Sequence, residues 1–386
     1  MRTLIELYDE RPIENVLATE MFHPEETIFI CTPEVASDKL LHASLKEYFL
    51  HRGCKVKLTF VPVSLLDAQK VAASIQKVLS SHEDCCLDIS GGTDAALFAA
   101  GLVCQDVPVI TYSRKRNTFF EIHHAPFARS LPCSVTLDAA SCFLMAGGSL
   151  MPGREDNKAL PGRLEEIDRL FSVYSTYRKT WNKQISLLQR LNQSSKDPLE
   201  CSAPLSGSTE SGLKDLDFGL LRVLHDQSLI SDLKLTSDHV SFHFPDETVR
   251  FWLRDMGSVL ELHVYRACLE AGCFDDVILS AVVNWSGREK RDAVTNEIDV
   301  MAVRGVQPVF ISCKTCEIHT EALNELAILR DRFGGAGSRA LIVTSAQASR
   351  ARPVMRRRAA ELGIELVEWS DLKFEQLTER LRSHTV

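Results

Sequence analysis

The chain has 386 residues, a formal net charge of −8, 45% hydrophobic residues and 25% charged ones. That length predicts two or three domains, and that balance fits a globular protein while excluding a globally basic nucleic-acid coat. No apolar run reaches the ~18 residues of a membrane span, the acidic N-terminus MRTLIELYDERPIEN has no secretion-signal core, and twelve scattered cysteines fit reduced thiols in a cytoplasmic protein.

Residues 28–31 (IFIC) read as a buried strand that ends at Thr32-Pro33-Glu34. A helix follows through SDKLLHASLKEYFL and stops at Gly53. VKLTFVPV is a second strand, with a helix from Asp67 to about Ser80 after it. CCLDIS is a third; it runs into Ser90-Gly91-Gly92-Thr93 and the apolar helix DAALFAAGLVC, and VPVITYS is a fourth. This alternation predicts an α/β fold with a doubly wound parallel sheet. Such sheets bind ligands beyond the carboxyl ends of their strands. Thr32, Pro33, Ser90, Gly91, Gly92 and Thr93 are therefore the candidate ligand-binding residues. The glycines let backbone come close to a ligand, and Thr93 with the helix start offers N–H groups to a phosphate. The same four residues also suit a tight strand-to-helix turn with no ligand role. Neither GxGxxG nor a P-loop is present.

RKRNTFFEIHH (114–124) reads as a basic turn and a short strand, and 164–192 as helical. KDPLECSAPLSGSTESG (196–212) has linker composition. Residues 216–256 predict a helix, the short strand VSFHF and a second helix, a small winged-helix-like insert.

The last segment opens on the helix GSVLELHVYRACLEAG. Helical spacing puts Glu261 on one stripe with Val264, Tyr265 and Cys268, and His263, Arg266 and Glu270 on the opposite, polar face. A carboxylate on a core-facing stripe needs a partner. The strand VILSAVVNW and the charged loop SGREKRDAVTN lead into NEIDVMAVRGVQPVFISCKT. Here Glu297 and Asp299 share one strand face, and Gly305-Val306 suits a two-residue type II′ hairpin. That turn sets Arg304 opposite Gln307, hence Asp299 opposite Ser312 and Glu297 opposite Lys314, in the closely approaching non-hydrogen-bonded pairs. Two readings fit: a cross-strand salt bridge on a wet face, or a divalent metal held by carboxylates beside a lysine that orients water. A helix (Thr320 to Arg332), the strand ALIVT, a helix and the strand IELVEW complete the chain. The cluster SRARPVMRRR (Arg350, Arg352, Arg356, Arg357, Arg358) either grips phosphates or is a solvated face. Cys313-Lys-Thr-Cys316 lacks a second such pair, so no structural zinc is expected.

Glutamate on the first helix, aspartate on the second strand and lysine on the third resemble the PD-(D/E)xK nuclease fold. ERPIEN, IFICTPE and LDISGGTDAALFAAG resemble a CARF domain, a Rossmann-like sensor of cyclic oligoadenylates. In tandem they resemble the CARF-fused nucleases of type III CRISPR antiviral defence. The resemblance implies a CARF-like ligand-sensing domain at 1–150, a helical connector and linker at 151–213, the insert at 214–256 and the nuclease domain at 257–386. It implies Glu261, Glu297, Asp299 and Lys314 as catalytic residues, with Mn²⁺ or Mg²⁺ on Glu261, Asp299 and Glu297. It further implies a cytoplasmic homodimer without membrane contact. Its activator would be a cyclic oligoadenylate, cyclic tetra-adenylate being the expected ring, and its substrate single-stranded RNA or DNA. Ser312 stands where the nuclease pattern has an acid, and Asp88 and Asp94 stand where the sensor pattern has Asn and Lys. Glu297, or less directly Glu321 or Glu325, would supply the missing charge. The alternative is a ligand-gated nucleic-acid-binding regulator that has lost catalysis.

Overall fold

The computed structural model describes residues 1–153, 156–191, 197–204, 215–286, 294–335, 337–346 and 352–383. The first unit comprises β1 (Thr3–Leu7), α1 (Leu17–Phe22), β2 (Glu26–Cys31), α2 (Pro33–Ser37), α3 (Lys39–His51), β3 (Lys57–Pro62), α4 (Ala68–Ser81), β4 (Cys85–Asp88), α5 (Asp94–Val103), β5 (Val109–Ser113), β6 (Thr118–His123), β7 (Leu131–Pro132), α6 (Ala139–Met145) and β8 (Ser149–Met151). The middle comprises α7 (Leu164–Tyr177), α8 (Trp181–Leu191), β9 (Glu200–Pro204), α9 (Phe218–Asp226), β10 (Ser231–Leu235), β11 (His239–His243) and α10 (Glu247–Trp252). The last comprises α11 (Ser258–Ala271), β12 (Asp276–Asn284), β13 (Thr295–Arg304), β14 (Gln307–Lys314), α12 (Thr320–Phe333), β15 (Arg339–Thr344), α13 (Arg352–Glu361), β16 (Ile364–Val367) and α14 (Phe374–Ser383).

The first sheet has the order β3-β2-β1-β4-β5-β6-β7, parallel from β3 to β5. The middle of its five parallel strands is β1, a strand absent from the sequence reading; all five of its residues are buried. The direction of winding reverses between β1 and β4, which opens a crevice at their carboxyl ends. The last sheet has the order β16-β15-β14-β13-β12-β8. Its edge strand β8 is supplied by the end of the first unit, with Ser149 paired to Asn284.

Both faces of the last sheet are covered. Val300, Ala302 and Ile311 pack with α11 and the middle helices, whereas Met301, Phe310 and Ile342 pack with α12 and with α3 and α6 of the first unit. The first and last units thus share one hydrophobic cluster. Side-chain burial at ~1.5–3 kcal/mol per large apolar residue is what joins them.

The middle of the chain departs from its reading. The stretch 196–212 contains β9, which pairs along β11 from His239–Pro204 to His243–Glu200 and completes a three-stranded sheet, β10-β11-β9. Residue 196 and residues 205–212 of that linker, the loop 287–293 and Arg350 lie outside the described residues. The connector helices α7 and α8 also join the core: Trp181, Ile185 and Leu188 pack in one cluster with Leu262, Ile311 and Cys313. Connector, insert and nuclease sheet therefore form one packed body.

Candidate active site and ligand groove

The hairpin has the predicted register, with Arg304 opposite Gln307, Val303 opposite Pro308 and Val300 opposite Ile311. Gly305 has φ +56° and Val306 is not in the left-handed region, as a type II′ turn requires. Beyond Val300 the Asp299 carboxylate enters between the strands. Its Oδ2 accepts from the Cys313 backbone N–H at 2.6 Å, the Ser312 hydroxyl at 3.1 Å and the Lys314 ammonium at 3.3 Å. Three donors on one oxygen fix the side chain at the mouth of the opened ladder. Ser312 therefore acts as a donor that orients Asp299.

Glu261 stands on the first turn of α11. Asp255 caps that helix, accepting from Ser258 N at 2.7 Å and Gly257 N at 3.0 Å. A Cβ at Gly257 would stand 2.8 Å from Glu261 Oε1, so a side chain there would displace the Glu261 carboxyl. Burial pushes the Glu261 carboxyl well up; the charges of Asp299, Asp255 and Glu297 push it further, and Lys314 pulls it back. Burial works against charge on Lys314 as well, but the neighbouring Asp299 more than offsets this and holds its ammonium above the ordinary lysine value. Glu261, Glu297, Asp299 and Lys314 thus lie in one electrostatic neighbourhood, with Asp255 as a member that the sequence reading missed. Glu297 is on its exposed rim, and Glu325 accepts from the Asn296 amide.

Four acids beside a single lysine leave an excess of negative charge. That is the donor chemistry of a hard divalent cation, which takes one or two carboxylates and keeps several waters. Glu261 and Asp299, which interact through their charges, would be the pair to supply them. Among the described residues no three His, Cys, Asp or Glu side chains converge into a full cage.

Residues 246–385 match the family model described as Card1-like, endonuclease domain. This part of the chain is a Card1-like endonuclease domain. The chain is accordingly a nuclease. No curated protein matches it. Two solved structures share its whole architecture. The protein VC1899 of Vibrio cholerae has a TM-score of 0.74 at 17% identity, covering 99% of this chain and 96% of the other. Can2 from Sulfobacillus thermosulfidooxidans, solved in complex with cyclic tetra-adenylate, has a TM-score of 0.69 at 14% identity, covering 99% and 97%. The fold expected from the sequence, a Rossmann-like CARF domain joined to a restriction-endonuclease-like domain, is the fold of this chain. The Card1-like domain begins at α10, so its matched segment includes the end of the small insert.

The sensor's crevice is a groove of about 860 Å³ at the carboxyl ends of β1 to β4, lined in part by Tyr8, Asp9, Arg11, Thr32, Leu66 and Thr93. Pro33 and Gly92 also lie on it. Two other expected residues are turned away. Ser90 donates to Asp88 and accepts from Tyr112 N at 2.7 Å. Gly91 is packed under β1, where a Cβ would stand 2.7 Å from Asp9 Cβ. Gly92 has φ +100°, and a Cβ there would meet Leu7 at 2.8 Å. The glycines thus serve loop packing on β1. Thr93 caps α5 and donates to Leu65 O at 2.6 Å.

The polar groups that dominate the groove came from the unassigned segment after β1. Arg11 clamps both oxygens of Asp9 at 2.8 Å, and Asp9 Oδ2 also accepts from Gly92 N at 2.9 Å. Burial raises the Asp9 carboxyl, but Arg11 and these backbone donors bring it below its usual value. The signal was the ERPIEN motif itself, whose arginine is the groove's cation.

One further reading is corrected. His263 is buried; it stacks on Phe171 with 3.3 Å between ring centroids, and its Nε2 pairs with Leu372 O at 2.9 Å. The helix α11 has no broad polar face because α7 and α14 cover it. In the basic cluster, Arg356 pairs with Glu368 and Arg358 with Glu361. No helix among the described residues is long and apolar enough to cross a membrane.

Proposed function

We propose that the chain is a metal-dependent nuclease of type III CRISPR defence, switched on by a cyclic oligoadenylate and cleaving single-stranded RNA or DNA. The observation that carries this reading is the convergence of Asp299, Lys314 and Glu261 within the Card1-like domain. The groove at the switch point of the sensor sheet supports the gating, as does an architecture shared with a protein solved with cyclic tetra-adenylate.

Glu261 and Asp299, with Glu297 at the rim, would hold Mn²⁺ or Mg²⁺. Bound there, the cation supplies Lewis acidity toward the scissile phosphate. The Lys314 ammonium orients the attacking water and faces the charge that develops on the phosphate oxygens. The Ser312 hydroxyl and Cys313 N–H keep Asp299 from rotating away. Intact acids and lysine favour catalysis over the regulator alternative.

A ring with several phosphates suits a two-fold homodimer whose sensor grooves face each other. Leu66 on the groove rim is 81% exposed, and Phe98 on α5 is 64% exposed. Both support a second copy packing at this end. Cleavage of labelled single strands with Mn²⁺ and each of several ring sizes tests the reading. Sedimentation with and without cyclic tetra-adenylate tests the dimer.

A further inference from the structure

The catalytic neighbourhood is rich in acid, yet a nuclease substrate is a polyanion. Lys314 is committed to Asp299. Cations that draw in the strand must come from another element, and the structure puts one directly at the mouth. The turn between α7 and α8 lies at the carboxyl ends of β14 and β15. Arg178 Nη1 donates to Ser345 O at 2.7 Å, and Ser345 N in turn donates to Lys314 O at 3.1 Å. Asn182 Nδ2 donates to the hydroxyl of Thr315, the residue after Lys314, at 3.3 Å.

The other end of α8 is tied down as well. The Gln189 amide donates to Arg254 O, next to the Asp255 that caps the Glu261 helix. Asn182, Ser186 and Gln189 lie at i, i+4 and i+7, one stripe about 10 Å long at 1.5 Å per residue. That stripe spans from the Lys314 side of the site to the Glu261 side. The rest of α8 is held in the core, through Gln184, Leu187 and Leu191 opposite the stripe and Trp181, Ile185 and Leu188 beside it, so the helix is a fixed wall. Two lysines stand at its entrance. Lys179 is exposed, with no ion-pair partner among the described residues. Lys183 is bound to Asp215 at 2.6 Å, both being more than half exposed. A pair so open to solvent holds weakly and exchanges readily for a phosphate.

We propose that α8 and the turn before it form the substrate wall of the nuclease: Lys179 and Lys183 take backbone phosphates of the nucleic-acid strand, and the Asn182–Ser186–Gln189 stripe guides it past Lys314. This rests on the nuclease reading above and names residues for its substrate. The partner is a sugar–phosphate backbone, so the wall adds affinity without base preference.

The test compares the full-length chain with Lys179→Glu/Lys183→Glu and with the milder Lys179→Ala/Lys183→Ala. Anisotropy of a labelled 20-nucleotide single strand is measured across a salt series. Cleavage kinetics follow, with Mn²⁺ and cyclic tetra-adenylate. The alanine pair should weaken binding on the order of tenfold near ~0.1 M salt and flatten the salt slope by about one per lysine. KM should rise while kcat and melting temperature stay put, and the glutamate pair should do more. Unchanged binding, slope and KM in both variants would overturn the wall, as would a wild-type chain that binds no strand. A wild-type chain that binds through these lysines but never cleaves would sink the nuclease reading and leave the wall standing.

Discussion

Arg114 Nη2 donates to Glu14 Oε2 at 2.7 Å, while its side-chain stem lies so close to Gly337 that a Cβ there would stand 2.7 Å from Arg114 Cδ. Glu14 also faces Arg11 at 3.6 Å, and Arg11 clamps the Asp9 of the ligand groove. A chain of charges therefore runs from the groove to the loop that follows α12 of the nuclease. A phosphate that draws Arg11 off Asp9 changes the balance on Glu14 and Arg114. Arg114→Ala should leave ligand affinity within a few-fold and lower ligand-stimulated cleavage on the order of tenfold, a coupling loss of about 1.4 kcal/mol. Calorimetric titration with cyclic tetra-adenylate, beside cleavage rates with and without it, checks this. Full stimulation in the variant would place the coupling elsewhere.

Asp299 depends on its donors for its position. Ser312→Ala removes one of three and should reduce kcat several-fold with little change in stability, as expected for loss of one hydrogen bond of about 1 kcal/mol. Lys314→Ala should cost on the order of 10²-fold or more in kcat. Single-turnover cleavage at saturating substrate distinguishes the two. Equal losses would mean that Ser312 has a larger role than orienting the carboxylate.

Glu6 and Asp88 stand side by side on β1 and β4, both buried, and Glu6 Oε1 has no hydrogen-bond partner. Burial, then the charge of Asp88, pushes the Glu6 carboxyl well up; burial likewise pushes Asp88 up to about 7, against the pull of Ser90. A carboxyl raised in the fold favours the folded state when protonated. Its contribution is complete below the unfolded value near 4 and is lost as pH rises through the folded value. Stability should therefore fall as pH rises from about 4, through about pH 7 where Asp88 ionises, and further as Glu6 loses its proton. Glu6→Gln and Asp88→Asn should each flatten that fall and raise the melting temperature at pH 8 relative to pH 5. A wild-type melting curve independent of pH over this interval would contradict the assignment.

Gly92 should tolerate no side chain, since it combines φ +100° with a close approach to Leu7. Gly92→Ala should destabilise by about 1–3 kcal/mol and weaken ligand binding through displacement of the Asp9–Gly92 contact. Denaturant unfolding gives the first quantity and calorimetry the second. Loss of ligand affinity with unchanged stability would instead make the glycine a direct ligand contact.

What the sequence disclosed was local. The hairpin register follows from Gly305-Val306 alone, so the neighbourhood of Asp299, Ser312 and Lys314 could be placed without a structure. The strand β1 was hidden because TLIEL is short, carries Glu6 inside it and precedes an acidic segment. The strand β9 was hidden because Glu200–Pro204 sits in linker composition and owes its form to pairing with β11. His263 misled because helical periodicity assumes one wet face, and α11 is covered on several sides. The place of helix α8 beside the active site was invisible because only tertiary packing brings Asn182 to Thr315. A groove does lie at the strand ends, yet its cation, Arg11, lay in a motif used only for likeness.

The central claim is that the Asp299–Lys314 site is a nuclease gated by the sensor groove. The most direct measurement is cleavage of labelled single-stranded RNA and DNA with Mn²⁺, adding cyclic tri-, tetra- or hexa-adenylate separately, with Asp299→Ala and Lys314→Ala alongside. The account predicts cleavage that requires the metal and one ring, cyclic tetra-adenylate, and that both substitutions abolish while ring binding persists. Ring binding with no cleavage under any metal, or cleavage that survives both substitutions, would contradict it.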